Sequence, residues 1–313
     1  MTLKEAVHSL IDSALEACQA IGELSAKPDG QLLHFTDAAG LIGIIGSKRL
    51  WATRVSCMND ASELTYGRSI GRAIVKERLR SDPKSRFVAT WRTAIAHFDA
   101  VPDVPSGLHV HFDAFATSFC THESSAHWLH YGRGGHGYAL GIDSAAFEVP
   151  GWSLVAVIYD RPIQERILAS VFDKIQSDAA TLADTFKPSS GVVEKIETTA
   201  GHLFVDVTAL LAPCFKDPSF TAEDEWRLFR PRLEGEYVGT EGLFPLQFRA
   251  HGPLVVPYAE FTVRPEAFKK IIMGYQVPDH PVRQSLRLLL RESGIDPAAF
   301  GIERSNVPVR GAA

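Results

Sequence analysis

Apolar residues recur along this chain at two spacings, one typical of helices and one typical of strands. Residues 4–24, 161–185 and 191–212 place apolar side chains three and four positions apart, which predicts amphipathic helices. Shorter stretches alternate and are rich in β-branched and aromatic residues, which predicts strands. The predicted strands are 32–35, 50–53, 109–121, 138–143, 153–160, 223–233, 244–250, 253–260, 268–273 and 302–309.

The helices between these strands are uneven in length and give no regular strand–helix–strand rhythm. That arrangement favours an α+β fold with a mixed or mostly antiparallel sheet. We predict an N-terminal helix over 1–30, followed by a single α+β domain over 31–313. Helical insertions are expected in this domain at about 60–100 and 161–212.

Polar groups gather where the first two predicted strands meet helix starts. His34 is the single imidazole of the first strand. Thr36 or Asp37 can cap the helix that follows, because either side-chain oxygen can accept from the free amide groups of the first turn. We therefore expect a functional site near this end of the sheet.

A second polar group follows the strand at 50–53 and consists of Asn59, Asp60 and Glu63. One interpretation is a capping box, in which Asn59 or Asp60 caps the next helix and Glu63 returns a hydrogen bond to the cap. The other interpretation is a carboxylate pair at a helix start that holds a cation or a sugar hydroxyl. The sequence leaves both open.

The bulk composition is that of an ordinary globular protein, with 45% hydrophobic and 22% charged residues. The net charge of -5 argues against broad electrostatic binding to nucleic acid. The four cysteines lack paired spacing, and the first residues lack the pattern of a signal peptide. No apolar stretch approaches the roughly 20 residues that span a bilayer. We predict a soluble, cytoplasmic protein with no membrane partner.

Familiar catalytic and metal signatures are absent from the sequence, including the Walker phosphate loop, HExxH, GxSxG and CxxC. His127 and His130 are separated by i, i+3 on a predicted helix, a spacing that could hold a metal ion. No acidic ligand accompanies them in a recognisable arrangement, and Trp128 and Tyr131 share the helix. We expect no metal cofactor.

The segment around Trp226 combines two carboxylates and a guanidinium. If this segment is a strand, Glu223, Glu225 and Arg227 share one face of it. Burying three such groups without a purpose would be costly. The alternative is a solvated sheet edge that carries a Glu225–Arg227 ion pair.

Seven motifs follow one another along the chain. They are Leu33 to Thr36, Gly46 to Trp51, Met58 to Glu63, Phe115 to Phe119, Trp128 to Asp143, Glu225 to Leu228, and Ser305 to Pro308. This ordered set resembles the bacterial domain of unknown function 2971 family over about residues 31–310. The family name implies no activity.

A second resemblance does imply one. A strand with His34 and Thr36, a helix that ends near a Gly/Ser turn, a strand with Ser or aromatic residues, and the late Glu225 are similar to the ADP-ribosyltransferase core. In that superfamily a split mixed sheet holds NAD in a cleft. The resemblance therefore implies a split mixed or antiparallel sheet, with NAD bound as a substrate.

The resemblance also implies roles for single residues. His34 and Thr36 match the first-strand pair that contacts the nicotinamide side of NAD. Ser118 or Tyr131 matches the residue that supports the nicotinamide, and the choice between them is open. Glu225 matches the catalytic glutamate that binds the ribose 2′-hydroxyl.

Further residues are candidates for catalysis or for contacts with NAD under this hypothesis. Glu223 would be the general base of a Glu-x-Glu pair. Trp128 or Tyr131 could stack on the nicotinamide ring. The remaining candidates for contacts with NAD are Asn59, Asp60, Glu63 and Arg227.

The leading hypothesis is an NAD-utilising ADP-ribosyltransferase-like enzyme of bacterial defence or toxin systems, acting on a protein, nucleic acid, small molecule or water. A non-catalytic module that binds a nucleotide or a partner in the same cleft is the first alternative. A divalent-metal hydrolase or nuclease that uses Asp60, Glu63, Glu223 and Glu225 is the second. The long helices at 161–212 could pair two copies of the chain.

Overall fold

The computed structural model describes residues 2–24, 27–58, 62–100, 110–187, 191–235 and 244–307, with the backbone alone at 23, 62–64, 110–112 and 233–235. Helices and strands alternate irregularly along the chain. The helices are α1 Leu3–Gln19, α2 Ala38–Ser47, α3 Ser62–Ser81, α4 Val88–Asp99, α5 Ser125–His130, α6 Arg161–Ala183, α7 Val192–Leu211 and α8 Asp279–Glu292.

The strands form one mixed sheet. They are β1 Gln31–Thr36, β2 Arg49–Arg54, β3 Val110–Cys120, β4 Tyr138–Asp143, β5 Ser153–Ala156, β6 Glu225–Gly235, β7 Gln247–His251, β8 Leu254–Thr262, β9 Phe268–Met273 and β10 Gly301–Arg304. The main order is β10-β9-β4-β1-β3-β2-β8-β7, and β6 and β5 continue from the other edge of β3. Within the described residues, β9 and β10 are a parallel pair and the other pairs are antiparallel.

The sheet divides at β3. One edge of β3 pairs with β6 from Val110 to Cys120. The other edge pairs with β1 at Cys120 and with β2 at Ala116 and Phe115. Both β1 and β2 are antiparallel to β3, and they pair with different parts of this edge. Neither of them pairs with β3 at 117–119, and we call this opening the strand gap.

Helices cover both faces of the sheet. On one face, α2 and α8 pack over Leu32, Phe119 and Trp226, and we call this the α2 face. On the other face, Leu210 of α7 packs on Ala114, Ala116 and Phe229, and we call this the α7 face. The remaining long helices pack around α7 in an apolar bundle that includes α1, α3, α4 and α6. The helical layer of the α7 face is therefore much thicker than that of the α2 face.

Local sequence explains where several helices begin. Asp37 caps α2 by accepting a hydrogen bond from Gly40 N at 2.8 Å, so Asp37 takes the role for which Thr36 was the alternative. Asp160 caps α6 in the same way, accepting from Ile163 N at 2.9 Å. Asp37 also pairs with Arg133 at 2.9 Å, which fastens the start of α2 to the turn before β4.

The predicted α+β fold with a mixed sheet is confirmed. The predicted insertions are present as helices, with α3 and α4 in the first and α6 and α7 in the second. Some bounds differ. The first helix ends at Gln19 instead of 24, and the strand predicted over 153–160 ends at Ala156. The division into an N-terminal helix over 1–30 and a domain over 31–313 stays a prediction.

Candidate functional site

Four charged side chains form a buried ionic cluster where β6 begins, on the α7 face. Glu225 accepts from Arg227 Nε at 2.7 Å and from Arg227 Nη2 at 2.9 Å. Lys216 Nζ donates to Glu225 Oε2 at 3.2 Å and also to Glu223 Oε2. We call Lys216, Glu223, Glu225 and Arg227 the ionic cluster. Its two carboxylates are balanced by two cations.

The cluster is almost entirely shielded from solvent. The exposed fraction is 1% for the Arg227 side chain, 5% for Lys216 and 8% for Glu225. Arg227 Nη1 also donates to Pro213 O at 2.6 Å, so its guanidinium bridges β6 and the turn after α7. A buried charge is tolerated only when it is paired and hydrogen-bonded in this way.

The backbone delivers Glu223 and Glu225 by different routes. Glu223 ends a short 3-10 helix, Pro218–Glu223, and Asp224 follows with a left-handed φ of 42°. The strand begins only at Glu225. The prediction that Glu223 and Glu225 share a strand face is therefore wrong, and the reverse turn at Asp224 is the reason. Lys216 nevertheless brings the two carboxylates together.

The predicted alternative of a solvated sheet edge is also wrong. β6 lies between β3 and β5, so the Glu225–Arg227 pair is interior to the sheet. Burial by itself would raise the pKa of Glu225. The adjacent Arg227, Lys216 and the Ser118 side chain outweigh burial and hold that pKa well below its usual range. Glu225 is thus an ionised acceptor.

Two tyrosines border the ionic cluster. Tyr131 O–H donates to Glu223 Oε1 at 3.0 Å, and Tyr131 is 42% exposed. The Tyr159 hydroxyl accepts from Glu225 N at 3.1 Å. Burial raises the pKa of both phenols, to about 12 for Tyr159, so both are neutral hydrogen-bonding groups. Tyr131 and Glu223 form the side of the cluster that is nearest to solvent.

His34, Ser118 and Glu225 lie on three neighbouring strands, β1, β3 and β6. His34 Nδ1 is 3.0 Å from Ser118 O, in the strand gap, and the Ser118 side chain hydrogen-bonds to Glu225. Burial lowers the pKa of His34, although its bond to the Ser118 carbonyl acts in the opposite direction. Of the two open candidates, Ser118 stands between His34 and Glu225, and Tyr131 contacts Glu223 instead.

The link between His34 and Glu225 passes through β3. Side chains alternate between faces along a strand. His34 therefore shares the α2 face with Leu32, and its ring centroid is 5.5 Å from that of Phe119. Ser118 and Glu225 project to the α7 face, in register with Arg227 and Cys120. At the strand gap, His34 from the α2 face contacts the backbone carbonyl of Ser118, whose side chain projects to the α7 face.

Trp128 does not fit the stacking role that the sequence suggested. Its side chain is 0% exposed, its Nε1 donates to Glu123 at 2.8 Å, and its ring packs edge-on against Phe35. The neighbouring His127 is also occupied, with Nδ1 on the Ser124 hydroxyl and Nε2 on Glu223 O. The contact with Glu223 O ties His127 to the segment that carries Glu223.

The motif after β2 is only partly visible. Asn59 and Asp60 lie outside the described residues, and Glu63 is described by its backbone alone. Helix α3, which begins at Ser62, passes against the turn after α7, because a Cβ on Gly67 would lie 2.5 Å from Ala212 Cβ. The next residue in that turn, Pro213, accepts the bond from Arg227. Helix α3 therefore packs at Gly67 against the same turn that accepts a hydrogen bond from Arg227.

Sequence reasoning missed Lys216 and Tyr159. Neither belongs to a recognisable motif; Lys216 stands in a predicted connection, and Tyr159 stands near the end of the strand predicted over 153–160. The signal that could have pointed to Lys216 is a single cation directly after the apolar run from Leu210 to Phe215. The described residues contain no group of three His, Cys, Asp or Glu side chains that could hold a metal ion. Lys216 Nζ occupies the position between Glu223 and Glu225 that a shared cation would need.

The site can act through preorganised charge and hydrogen bonding. It combines an ionised carboxylate, two fixed cations, a hydroxyl and two neutral phenols. No helix in the described part of the chain is both long and apolar enough to cross a bilayer.

The fold and site define an α+β protein with a buried ionic cluster beside a gap in its sheet. Residues 127–228 match the model of a family described as "Protein of unknown function (DUF2971)". The predicted resemblance to this family is thus confirmed for the segment from α5 to the first half of β6, which contains every member of the ionic cluster. No curated protein and no solved structure matches the chain.

Proposed function

We propose that the protein is an NAD-utilising ADP-ribosyltransferase-like enzyme that cleaves the nicotinamide–ribose bond and transfers ADP-ribose to an acceptor. The observation that carries this proposal is the hydrogen-bonded row His34–Ser118–Glu225 across three neighbouring strands. A histidine, a hydroxyl residue and a late glutamate are the groups that this chemistry uses, and here they lie on three neighbouring strands beside the strand gap.

The reaction breaks the bond between the ribose C1′ and the nicotinamide nitrogen, and the electron pair leaves with nicotinamide. Positive charge then develops on the ribose, as it does in glycoside cleavage. Glu225 is ionised and would stabilise this charge while it binds the 2′-hydroxyl; preorganised electrostatics of this kind is commonly the largest catalytic contribution. A new bond forms between C1′ and the acceptor.

Glu223 would take the proton that the acceptor loses. It is the more exposed carboxylate of the cluster, at 14% against 8% for Glu225, and Tyr131 holds it at the solvent side. His34 would orient the nicotinamide ribose from the strand gap. Thr36 follows at the end of β1, on the same face as His34.

A non-catalytic module that binds a nucleotide or a partner is the second candidate, and a specific observation favours it. Both oxygens of Glu225 already accept hydrogen bonds from Arg227, Lys216 accounts for a further bond, and the Ser118 side chain supplies another. A ribose hydroxyl would have to replace one of these bonds. If it does not, the cluster is a structural support for a binding cleft.

The test is incubation with NAD labelled on nicotinamide or on the adenylate half, with and without cell lysate. The intact protein should release nicotinamide, and Glu225→Gln should reduce the rate by about a hundredfold or more. Ser118→Ala, which keeps the buried ion pair, should also reduce it. Glu148→Gln is the matched control, because Glu148 is an exposed carboxylate paired only with Lys27.

The outcomes separate the two candidates. Binding of NAD without release of nicotinamide would favour the binding module. Neither release nor transfer by the intact, folded protein would rule out the transferase. A role in bacterial defence or toxin systems depends on this result and stays part of the proposal.

A further inference from the structure

Trp51 is an exposed aromatic ring on a strand that borders the gap. This residue is 45% exposed, although β2 is an interior strand of the sheet. One side of its ring packs on Tyr258 of β8, with ring centroids 4.5 Å apart. Of the five tryptophans in the chain, the other four are buried or half-buried. Trp51 is therefore a rigidly supported aromatic surface open to solvent.

The Arg249 guanidinium lies over this ring, and no ion pair joins it to a carboxylate of the described residues. Its guanidinium carbon is 5.8 Å from the centroid of the Trp51 ring, and Nη2 donates to Thr53 Oγ1 at 3.0 Å. Arg249 Nε is buried and has no hydrogen-bond partner among the described residues. Glu260 of β8, which pairs in register with Trp51, is already paired with Arg49 at 2.6 Å. Within the described part of the chain, Arg249 therefore has no carboxylate that balances its charge.

The Trp51 ring lies on the same side of the sheet as the ionic cluster. Thr53 pairs with Ala116, so Thr53 and Trp51 project to the α7 face together with Ser118. If β2 continued to pair with β3, Trp51 would lie opposite Ser118, but the strands part at the gap before that point. Trp51 therefore lies on the α7 face, on the other side of the strand gap from Ser118.

We propose that Trp51 and Arg249 form a nucleotide-binding subsite, in which a base stacks on Trp51 and a phosphate binds Arg249. An exposed indole ring offers a flat π-surface that favours stacking of a base. A guanidinium without a carboxylate partner favours a phosphate, which it can bind through two parallel hydrogen bonds. Ring and guanidinium are adjacent, as are the base and phosphate of a nucleotide.

This subsite needs no catalytic activity at Glu225. Its ligand is a nucleoside phosphate, and that chemistry can come from a free nucleotide or dinucleotide or from one nucleotide of a single-stranded nucleic acid. The net charge of -5 makes local recognition of this kind, and not a broad basic surface, the basis of binding.

The experiment measures binding of AMP, NAD and a short single-stranded oligonucleotide by equilibrium dialysis, with tryptophan emission as a second readout. AMP should bind the intact protein and quench its emission. Trp51→Ala should weaken AMP binding by about tenfold to a hundredfold, and Trp51→Phe should restore most of it. Arg249→Gln should weaken AMP binding but leave adenosine binding unchanged.

Arg49→Gln is the matched control, because Arg49 is on the same strand face and is neutralised by Glu260. It should bind AMP as the intact protein does. Tighter binding of NAD or of the oligonucleotide than of AMP, lost with the same two variants, would identify the source of the nucleotide. No binding of any of the three, or equal binding by folded Trp51→Ala, would overturn the proposal. Since no step depends on turnover, this result is independent of nicotinamide release.

Discussion

At the scale of single residues, the guanidinium of Arg227 organises the site. It is 1% exposed, holds both oxygens of Glu225 and reaches back to Pro213 O. The sequence indicated the pair, since Glu225 and Arg227 are two positions apart on a predicted strand. It did not indicate that the pair is buried, because burial depends on β3, β5 and the turn after α7. The same applies to Trp128, whose exposure cannot be read from a six-residue helix.

Arg227→Gln should reduce the free energy of unfolding by about 3–5 kcal/mol, because it leaves the ionised Glu225 buried with only Lys216 to balance it. Denaturant unfolding measures this change. Arg133→Gln is the matched control, since the Arg133 side chain is 71% exposed in its pair with Asp37. It should cost less than about 1 kcal/mol. Equal losses in the two variants would mean that the Arg227 pair is solvated.

At the scale of elements, α3 packs closely against the turn after α7, and Pro213 in that turn accepts a hydrogen bond from Arg227 of the ionic cluster. Gly67 makes this contact possible. A Cβ at that position would lie 2.5 Å from Ala212 Cβ and 2.8 Å from Ala212 Cα. The sequence predicted α3 correctly but gave no reason for a glycine in its first half. That reason lies in a residue far along the chain.

Gly67→Ala should therefore destabilise the protein by about 1–3 kcal/mol, because the two backbones must move apart. Gly43→Ala is the matched control in another helix. A Cβ on Gly43 meets nothing within 4 Å, so the loss of backbone freedom in the unfolded chain should stabilise by about 0.5–1 kcal/mol. Thermal unfolding of both variants gives the two signs. A stabilising Gly67→Ala would contradict the close packing of α3.

At the scale of the whole molecule, the thick helical layer on the α7 face contains titratable groups as well as an apolar core. His202 of α7 lies with its ring centroid 5.1 Å from that of His97 of α4. Burial lowers the pKa of His202 to about 4, with further contributions from His97 and Lys195. His97 also lies 3.7 Å from Asp206 on α7. The folded bundle thus holds His202 in its neutral form at neutral pH.

Stability should consequently depend on pH through His202. Its folded pKa is below the ordinary value of 6.5, so the unfolded chain binds a proton that the folded chain excludes. Above pH 6.5 His202 is neutral in both the folded and the unfolded chain, and its contribution to the free energy of unfolding is constant. As the pH falls from 6.5 towards about 4, only the unfolded chain takes up the proton, so the free energy of unfolding decreases. Denaturant midpoints across that range measure it. His202→Gln should flatten the decrease, whereas His8→Gln, on the exposed side of α1, should leave it unchanged.

The sequence by itself determined the elements whose cause is local. The period of apolar residues predicted α6 and α7, alternation predicted β3, and Asp37 was one of two residues expected to cap α2. These features depend on neighbours within a few positions, so they can be read from a short window.

Only the tertiary structure decided which polar residues meet. Lys216 joins Glu223 to Glu225 across the left-handed residue Asp224, and β1 and β2 pair with different parts of one edge of β3 and leave the strand gap between them. The physical reason is that strand pairing and burial are contacts between residues that are distant in sequence. A pattern along one strand cannot say which strand will lie beside it.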